Sequence, residues 1–351
     1  MKKQMIAVAV ASAFAVPAMA QVTVSGMLES GYVSRDTASV KTNTIGRGFV
    51  GTPHFKMTGT EDLGGGLRAS VHLQLDINAS VTASDASVWA NGTGFSVASI
   101  ALQGAFGRVE LGDFTPAPRD GGGVYRFMGD IGRLASPTVL ATTATANEVV
   151  AFNSGAYVNA VQYSTPVISG LQANLYASRA GKITASAREA TGDGYSVTGT
   201  LAGLRFSLGS EQLATTASPA GNAKRRLDTI AASYNLGFAR VGVVNAVNKT
   251  EAATVLKSDA TGLHIAAPVG SSLLVGATAT RYKTSGTTAK NDVMTLGVKY
   301  DLSKRTNIQA TYQTVKTGTT GLAGFATRGL DVNGRTGATT NGYGIQAQHN
   351  F

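Results

Sequence analysis

Residues 112–136, GDFTPAPRDGGGVYRFMGDIGRLAS, carry Arg119, Arg126 and Arg133 among Asp113, Asp120 and Asp130. Fixed charges of both signs on one irregular segment can act on a solute without reacting with it. Lining a narrow wet passage, they bias which ions pass, because low-dielectric walls focus their field. Equally, the arginines can pair with the aspartates and simply pin the segment. The segment opens on the break Thr-Pro-Ala-Pro at 115–118, and Gly121, Gly122 and Gly123 allow a tight bend. No Lys-Ser or Lys-Thr follows these glycines, which argues against a phosphate cradle.

Other chemistry is sparse. There is no cysteine, which removes disulfides, thiolate metal sites and a thiol nucleophile. Four histidines occur, His54, His72, His264 and His349, and Ser70 stands near His72. Proximity in sequence does not make a triad, and no nucleophile motif accompanies the pair. No catalytic residue, metal site or cofactor is expected. The formal charge is +10. Basic chains can bind nucleic acid, but no basic helix or aromatic RNA-binding motif is present, so no nucleic-acid partner is expected.

Residues 1–20 read as an export leader: Lys2 and Lys3, an apolar run over 5–16, then Ala18-Met19-Ala20 as the cleavage site. Removing them leaves 28 basic and 20 acidic side chains, a charge of +8. Beyond Ala20 no apolar run is long enough for a transmembrane helix. With 43 glycines, much Thr, Ser and Ala, and little Leu or Ile, the rest cannot fill a soluble core of its size. It suits a wall with lipid on one face and water on the other.

The elements that would position the charged segment alternate with period two. In residues 22–32, Val22, Val24, Leu28 and Tyr32 share one face, and Thr23, Ser25 and Glu29 the other. A polar connection is expected over 33–52. In the next hairpin, Asp62-Leu-Gly-Gly-Gly66 turns the chain. It puts Phe55, Met57, Leu67, Val71, Leu73 and Leu75 outward, and Lys56, Thr58, Arg68, Ser70, His72 and Gln74 inward. Further strands are read at 97–103, 108–112, 158–164, 171–178, 195–201, 204–211, 227–234, 239–249, 261–267, 273–282, 293–300, 307–315 and 343–351. The phase of 273–282 is ambiguous, since both faces are mildly apolar. Sixteen strands, with short turns alternating with long polar loops, describe an all-β transmembrane antiparallel barrel. One domain, 21–351, results, with the charged segment, about 113–136, folded into the bore. Tyr32, Tyr163, Tyr176, Tyr234, Tyr282, Tyr300, Tyr343 and Phe351 are expected to form aromatic girdles.

The whole mature chain resembles the trimeric outer-membrane porins of Gram-negative bacteria, of the β-proteobacterial type. The resemblance rests on VTVSGMLESGY at 22–32, GTEDLGGGL at 59–67, ALQGAFGRVELGDFTPA at 101–117, NAVQYSTPVISGL at 159–171 and the ending GIQAQHNF. It implies a homotrimer in the outer membrane, in contact with lipid and lipopolysaccharide. Each barrel would pass ions and small hydrophilic solutes by diffusion, past an inward third loop. Phe351 resembles the terminal signal read by the barrel assembly machinery. The match departs at the charges. A basic residue commonly precedes the apolar run of the second strand, where this chain has His54. Arg commonly follows the LG of the fifth strand, where it has Asp113. Arg commonly precedes the Asn of the sixth, where it has Ala156, Tyr157 and Val158 before Asn159. The constriction is therefore expected from Arg119, Arg126, Arg133, Asp113, Asp120 and Asp130, with His54, Lys56, Arg68 and His72 on the wall and a mild anion preference. A substrate-selective channel and a non-conducting structural or adhesion barrel are the alternatives.

Overall fold

The computed structural model describes residues 21–37, 40–48, 51, 53–77, 95–114, 139–141, 157–179, 190–215, 223–251, 256–284, 290–318, 325–327 and 337–351. In chain order the strands are β1 (Gln21–Thr37), β2 (Val40–Arg47), β3 (His54–Gly64), β4 (Leu67–Asp76), β5 (Val97–Gly104), β6 (Gly107–Phe114), β7 (Val139–Ala141), β8 (Tyr157–Ser164), β9 (Leu171–Arg179) and β10 (Ala190–Leu201). There follow β11 (Leu204–Thr215), β12 (Ala223–Asn235), β13 (Arg240–Glu251), β14 (Leu256–Val269), β15 (Leu273–Thr284), β16 (Lys290–Asp301), β17 (Thr306–Thr317), β18 (Phe325–Thr327) and β19 (Thr339–Asn350). β7 and β18 pair only with each other.

The other strands form one antiparallel sheet in which each pairs with its neighbours in sequence, and β1 pairs with β19. The sheet therefore closes. β2 and β3 act as one broken strand along β1: Ser30 faces Arg47 and Met27 faces His54. Between these pairings Gly48 and Gly51 both bond to Glu29. Counted this way, the barrel has sixteen strands. Seven short turns occupy one end, and the connections at the other range from residues 38–39 to the stretch between Phe114 and Tyr157.

Closure follows from the alternation. Along β17, Asn307, Gln309, Thr311 and Gln313 are buried, whereas Ile308, Ala310 and Tyr312 are exposed. The same inversion recurs around the barrel. Val24, Leu28, Ile100, Leu175, Ile230, Leu263 and Ile345 are exposed, and Ser207, Thr229, Asn248, Thr295 and Gln346 are buried. A soluble protein places these types the other way round. Here the inner face is polar and the outer face apolar, as required of a wall between water and lipid.

Two expectations are corrected, and one phase left open is settled. The polar connection of 33–52 is largely strand, since β1 runs on to Thr37 and β2 returns against it. Its Thr, Val and Ile residues favour extended backbone, but it lacks an apolar stripe. Tyr176 and Tyr282 do not join a girdle: both are buried, on the same faces as Asn174 and Thr280. The ambiguous β15 takes one phase, with Thr278, Thr280 and Tyr282 inward and Ala279, Arg281 and Lys283 outward.

The seam is tight. Gly26 and Phe351 exchange both backbone hydrogen bonds, each 3.1 Å. A Cβ on Gly31 would lie 2.5 Å from Gln346 Cβ and from the Ile345 oxygen. Beside it, the Gly51 N–H is shared by both carboxylate oxygens of Glu29, at 2.9 Å each, and Gln346 Nε2 donates to Glu29 Oε2 at 3.2 Å. Glu29 thereby holds the excursion of the broken strand against the seam. Gly31→Val should force β1 and β19 apart and cost about 1–3 kcal/mol. The expected result is a lower midpoint for loss of the β circular-dichroism signal on heating in detergent.

Candidate functional site

The candidate site is the inner wall. β3 and β4 place His54, Lys56 and His72 on the inward face, by the alternation that puts Met57 and Val71 outside. Lys56 stands opposite Gln74, and His54 opposite Asp76. Arg68 is exposed beside the short turn, in register with Asp62 and Gln103. It therefore sits at the barrel mouth, well below Lys56.

β5 and β6 complete a charged network that reading the residues one strand at a time does not reveal. Glu110 is nearly fully buried. It accepts a hydrogen bond from Ser99 Oγ at 2.7 Å and another from Arg108 Nη1. His72 Nδ1 lies 3.7 Å from Glu110 Oε1. Parity puts these groups on one face, but only the strand register brings His72 of β4 against Glu110 of β6. The Arg108 guanidinium neutralises Glu110, so this acid adds little field to the bore. Lys56 has no acidic partner among the described residues.

Asp113 lies at the root of the charged segment. A bulge between Gly112 and Phe114 interrupts the pairing of β6 with β8. Gly112 makes it possible: its φ is +125°, and a Cβ there would meet the Ala98 oxygen at 2.2 Å. Asp113 stands in register with Ala98, on the face of Ile100 and Leu111, and its carboxylate accepts the Asn159 N–H at 3.0 Å. Asp113 thus ties β6 to β8, where the chain leaves and re-enters the wall. Just inside, Phe114, Ala160 and Tyr176 form a buried apolar cluster with Val97 against it. Arg119, Asp120, Arg126, Asp130 and Arg133 lie outside the described residues.

Elsewhere on the wall, Arg35, Arg205, Arg240 and Lys299 join Lys56, Arg68 and Arg108 on inward positions, and Lys299 pairs with Asp301 at 3.3 Å. The inward acids on the described strands are Glu29, Asp62, Asp76, Glu110, Glu211 and Asp301. Between them runs a polar lining of amides and hydroxyls. Gln313 Nε2 donates to Thr295 Oγ1 at 3.0 Å, and Gln309 Nε2 to Asn307 Oδ1 at 2.8 Å. Among the described residues the bore is polar, with more base than acid. It supplies a path and a field.

The sequence profile of Gram-negative porins matches residues 7–320. The chain belongs to that family. Its members are channels of the outer membrane, and this porin is a closed barrel of that kind. It is 27% identical to outer membrane porin protein 32 of Delftia acidovorans, over the full length of both chains. Among solved structures it resembles an anion-selective porin from Comamonas acidovorans, with a TM-score of 0.77 at 24% identity, covering 95% of this chain and 100% of the other. It also resembles the trimer form of OmpT of Vibrio cholerae, with a TM-score of 0.68 at 15% identity, covering 95% and 99%.

The Arg108–Glu110 pair makes a test of the wall. Arg108→Ala should strand the Glu110 charge, costing about 1–3 kcal/mol in urea unfolding. It should also move the reversal potential in a KCl gradient towards cations. Adding Glu110→Gln should move that potential back, because the unpaired carboxylate is gone.

Proposed function

We propose that this porin is a homotrimer whose three bores pass ions and small hydrophilic solutes by passive diffusion, with a mild preference for anions. The observation that carries the preference is the inner wall. Arg35, Lys56, Arg68, Arg108, Arg205, Arg240 and Lys299 face it, against Glu29, Asp62, Asp76, Glu110, Glu211 and Asp301. With one acid taken up by Arg108 and another engaged by the Gly51 N–H and Gln346, the surplus favours anions in the bore. The anion selectivity of the Comamonas porin and the trimer form of the Vibrio protein support the same reading.

In this reading the segment beyond Phe114, to about 136, enters the bore as the constriction, with Arg119, Arg126 and Arg133 facing Asp120 and Asp130 there. Asp113 anchors its root. Residues 1–20 are the leader removed on export, and Phe351 is the assembly signal. The position of Phe351 suits that role, since its backbone closes on Gly26 while its side chain remains exposed.

The deciding measurement is the reversal potential of the purified porin in a planar bilayer under a KCl gradient. Chloride preference is expected. Lys56→Glu, which inverts an unpartnered wall charge, should move the potential towards potassium, and so should Arg119→Ala, Arg126→Ala or Arg133→Ala. Potassium preference in the unaltered protein, indifferent to all four changes, would overturn the proposal.

A further inference from the structure

At the short-turn end of the bore, the register assembles a patch whose chemistry goes beyond supplying a field. On the inner face of β16, β17 and β19, Lys299 stands opposite Gln309, and Gln309 opposite Gln346. One step nearer the turns, Asp301 stands opposite Asn307, and Asn307 opposite Gln348. These polar side chains make two rows of three on adjacent strands. With strands ~4.8 Å apart and alternate residues ~6.6 Å apart, the grid spans ~10 Å by ~7 Å.

The turns give the grid its walls. Ser271 and Ser272, between β14 and β15, and Leu302, between β16 and β17, border a recess of about 520 Å³ lined by all of the grid except Gln346. That volume is of the size that holds a small solute. The walls are braced. The Asp301 N–H donates to the Ser272 oxygen at 2.8 Å, which joins the two turns. Ser303 Oγ accepts the N–H groups of Arg305 at 3.2 Å and Thr306 at 3.0 Å.

The lining indicates what the recess would hold. Lys299 and Asp301 pair at 3.3 Å, so their charges offset each other while a donor and an acceptor stay side by side. Asn307 Nδ2 donates to Gln348 Oε1 at 3.0 Å, and Gln309 Nε2 to Asn307 Oδ1 at 2.8 Å. Gln348 Nε2 donates to Met27 Sδ. A thioether sulfur only accepts, which sets the direction of this chain of amides. The chain ends at Gln309, which is 2% exposed and whose Oε1 has no donor among the described residues. Buried polar atoms without a partner are rare in native proteins. A deprotonated anion brings acceptors alone and does nothing for such an atom. A hydroxyl both donates and accepts, so neighbouring hydroxyls suit a lining in which the two roles alternate. Lys304, also at the recess, is exposed, where salt and water screen its charge.

We infer that this recess is a subsite for a neutral polyhydroxylated solute, a mono- or disaccharide, on the last stretch of the bore before the short-turn mouth. The inference rests on the barrel being an open pore. A solute held there leaves the bore from a bound state, so its flux saturates, whereas unaided diffusion rises in proportion to concentration.

The test uses the full porin and two readouts. Saturation-transfer NMR in neutral detergent reports binding whether or not the pore conducts, and conductance steps in a planar bilayer without sugar report whether the pore is open. Glucose and trehalose should give signals that reach a plateau at millimolar concentration. Gluconate should bind more weakly, and a hydroxyl-free ether of similar mass should not bind. Gln309→Leu should weaken sugar binding several-fold. Asp301→Asn should weaken it about tenfold, since a hydrogen bond to a charged group is lost. That nearly isosteric change keeps the test decisive if Gln309→Leu fails to fold. It also leaves Lys299 unpaired, so gluconate should then bind more tightly than before. Asn174→Leu, on the inner face of β9, should leave sugar binding intact. Unchanged plateaus in both patch variants, gluconate bound by the unaltered porin as tightly as glucose, or an equal response to the ether would overturn the inference. Conductance steps without sugar binding would overturn the subsite alone. Sugar binding without conductance steps would support the recess and overturn the open-pore reading instead.

Discussion

The constraint on which this structure depends is that lipid accepts no unpaired backbone. Each N–H or C=O left open in hydrocarbon costs several kcal/mol, so a sheet in a membrane must close. Here closure is made by the pairing of β1 with β19, from Met27 opposite Asn350 to Arg35 opposite Gly342. The local chemistry of the seam serves that pairing. Gly31 has no side chain to hold the strands apart, Gly26 and Phe351 bond back to back, and Gln346 and Glu29 fasten the adjoining excursion. A single carboxylate, Glu29, thus serves both closure and the break between β2 and β3.

Once the sheet closes, alternation has to separate two solvents. Each strand sends one set of side chains to lipid and the other to water, which is why Gln309, Gln313 and Asn248 are among the most buried large side chains. They are packed in the wall without being removed from a polar setting. The lumen needs no single reacting group for its function. Its behaviour is set by which charges the register leaves unpaired, such as Lys56, and which it neutralises, such as Glu110.

Most of this architecture was legible because a period-two pattern survives in nearly every strand. The hairpin of β3 and β4 shows it best, with His72 inward and Val71 outward by parity alone. The pattern failed where its premise failed. β2 lacks an apolar stripe, so Lys41, Thr42, Asn43 and Thr44 resemble a loop although they pair along β1. Tyr176 and Tyr282 resemble girdle residues by type, yet parity carries both inward. Register was the other blind spot. The contact of His72 with Glu110, the bond from Asp113 to Asn159 and the row Lys299–Gln309–Gln346 each join different strands, and no spacing within one strand encodes them. The arginines of 119–133 stand out in the sequence by type and lie outside the described residues.

This partition changes the meaning of the net charge. The chain carries a formal +10, and a sum of that kind invites an argument about the bore. Parity divides it. Arg226, Lys249, Lys257, Lys283 and Lys290 contribute to the sum but face away from the permeation path, across a low-dielectric wall. The field in the bore arises from the smaller inward set, in which Arg108 and Glu110 offset each other and Lys56 does not. Two barrels with identical net charge could therefore differ in selectivity by exchanging charges between faces of one strand. The quantity that bears on conduction is the unpaired inward charge near the narrowest point.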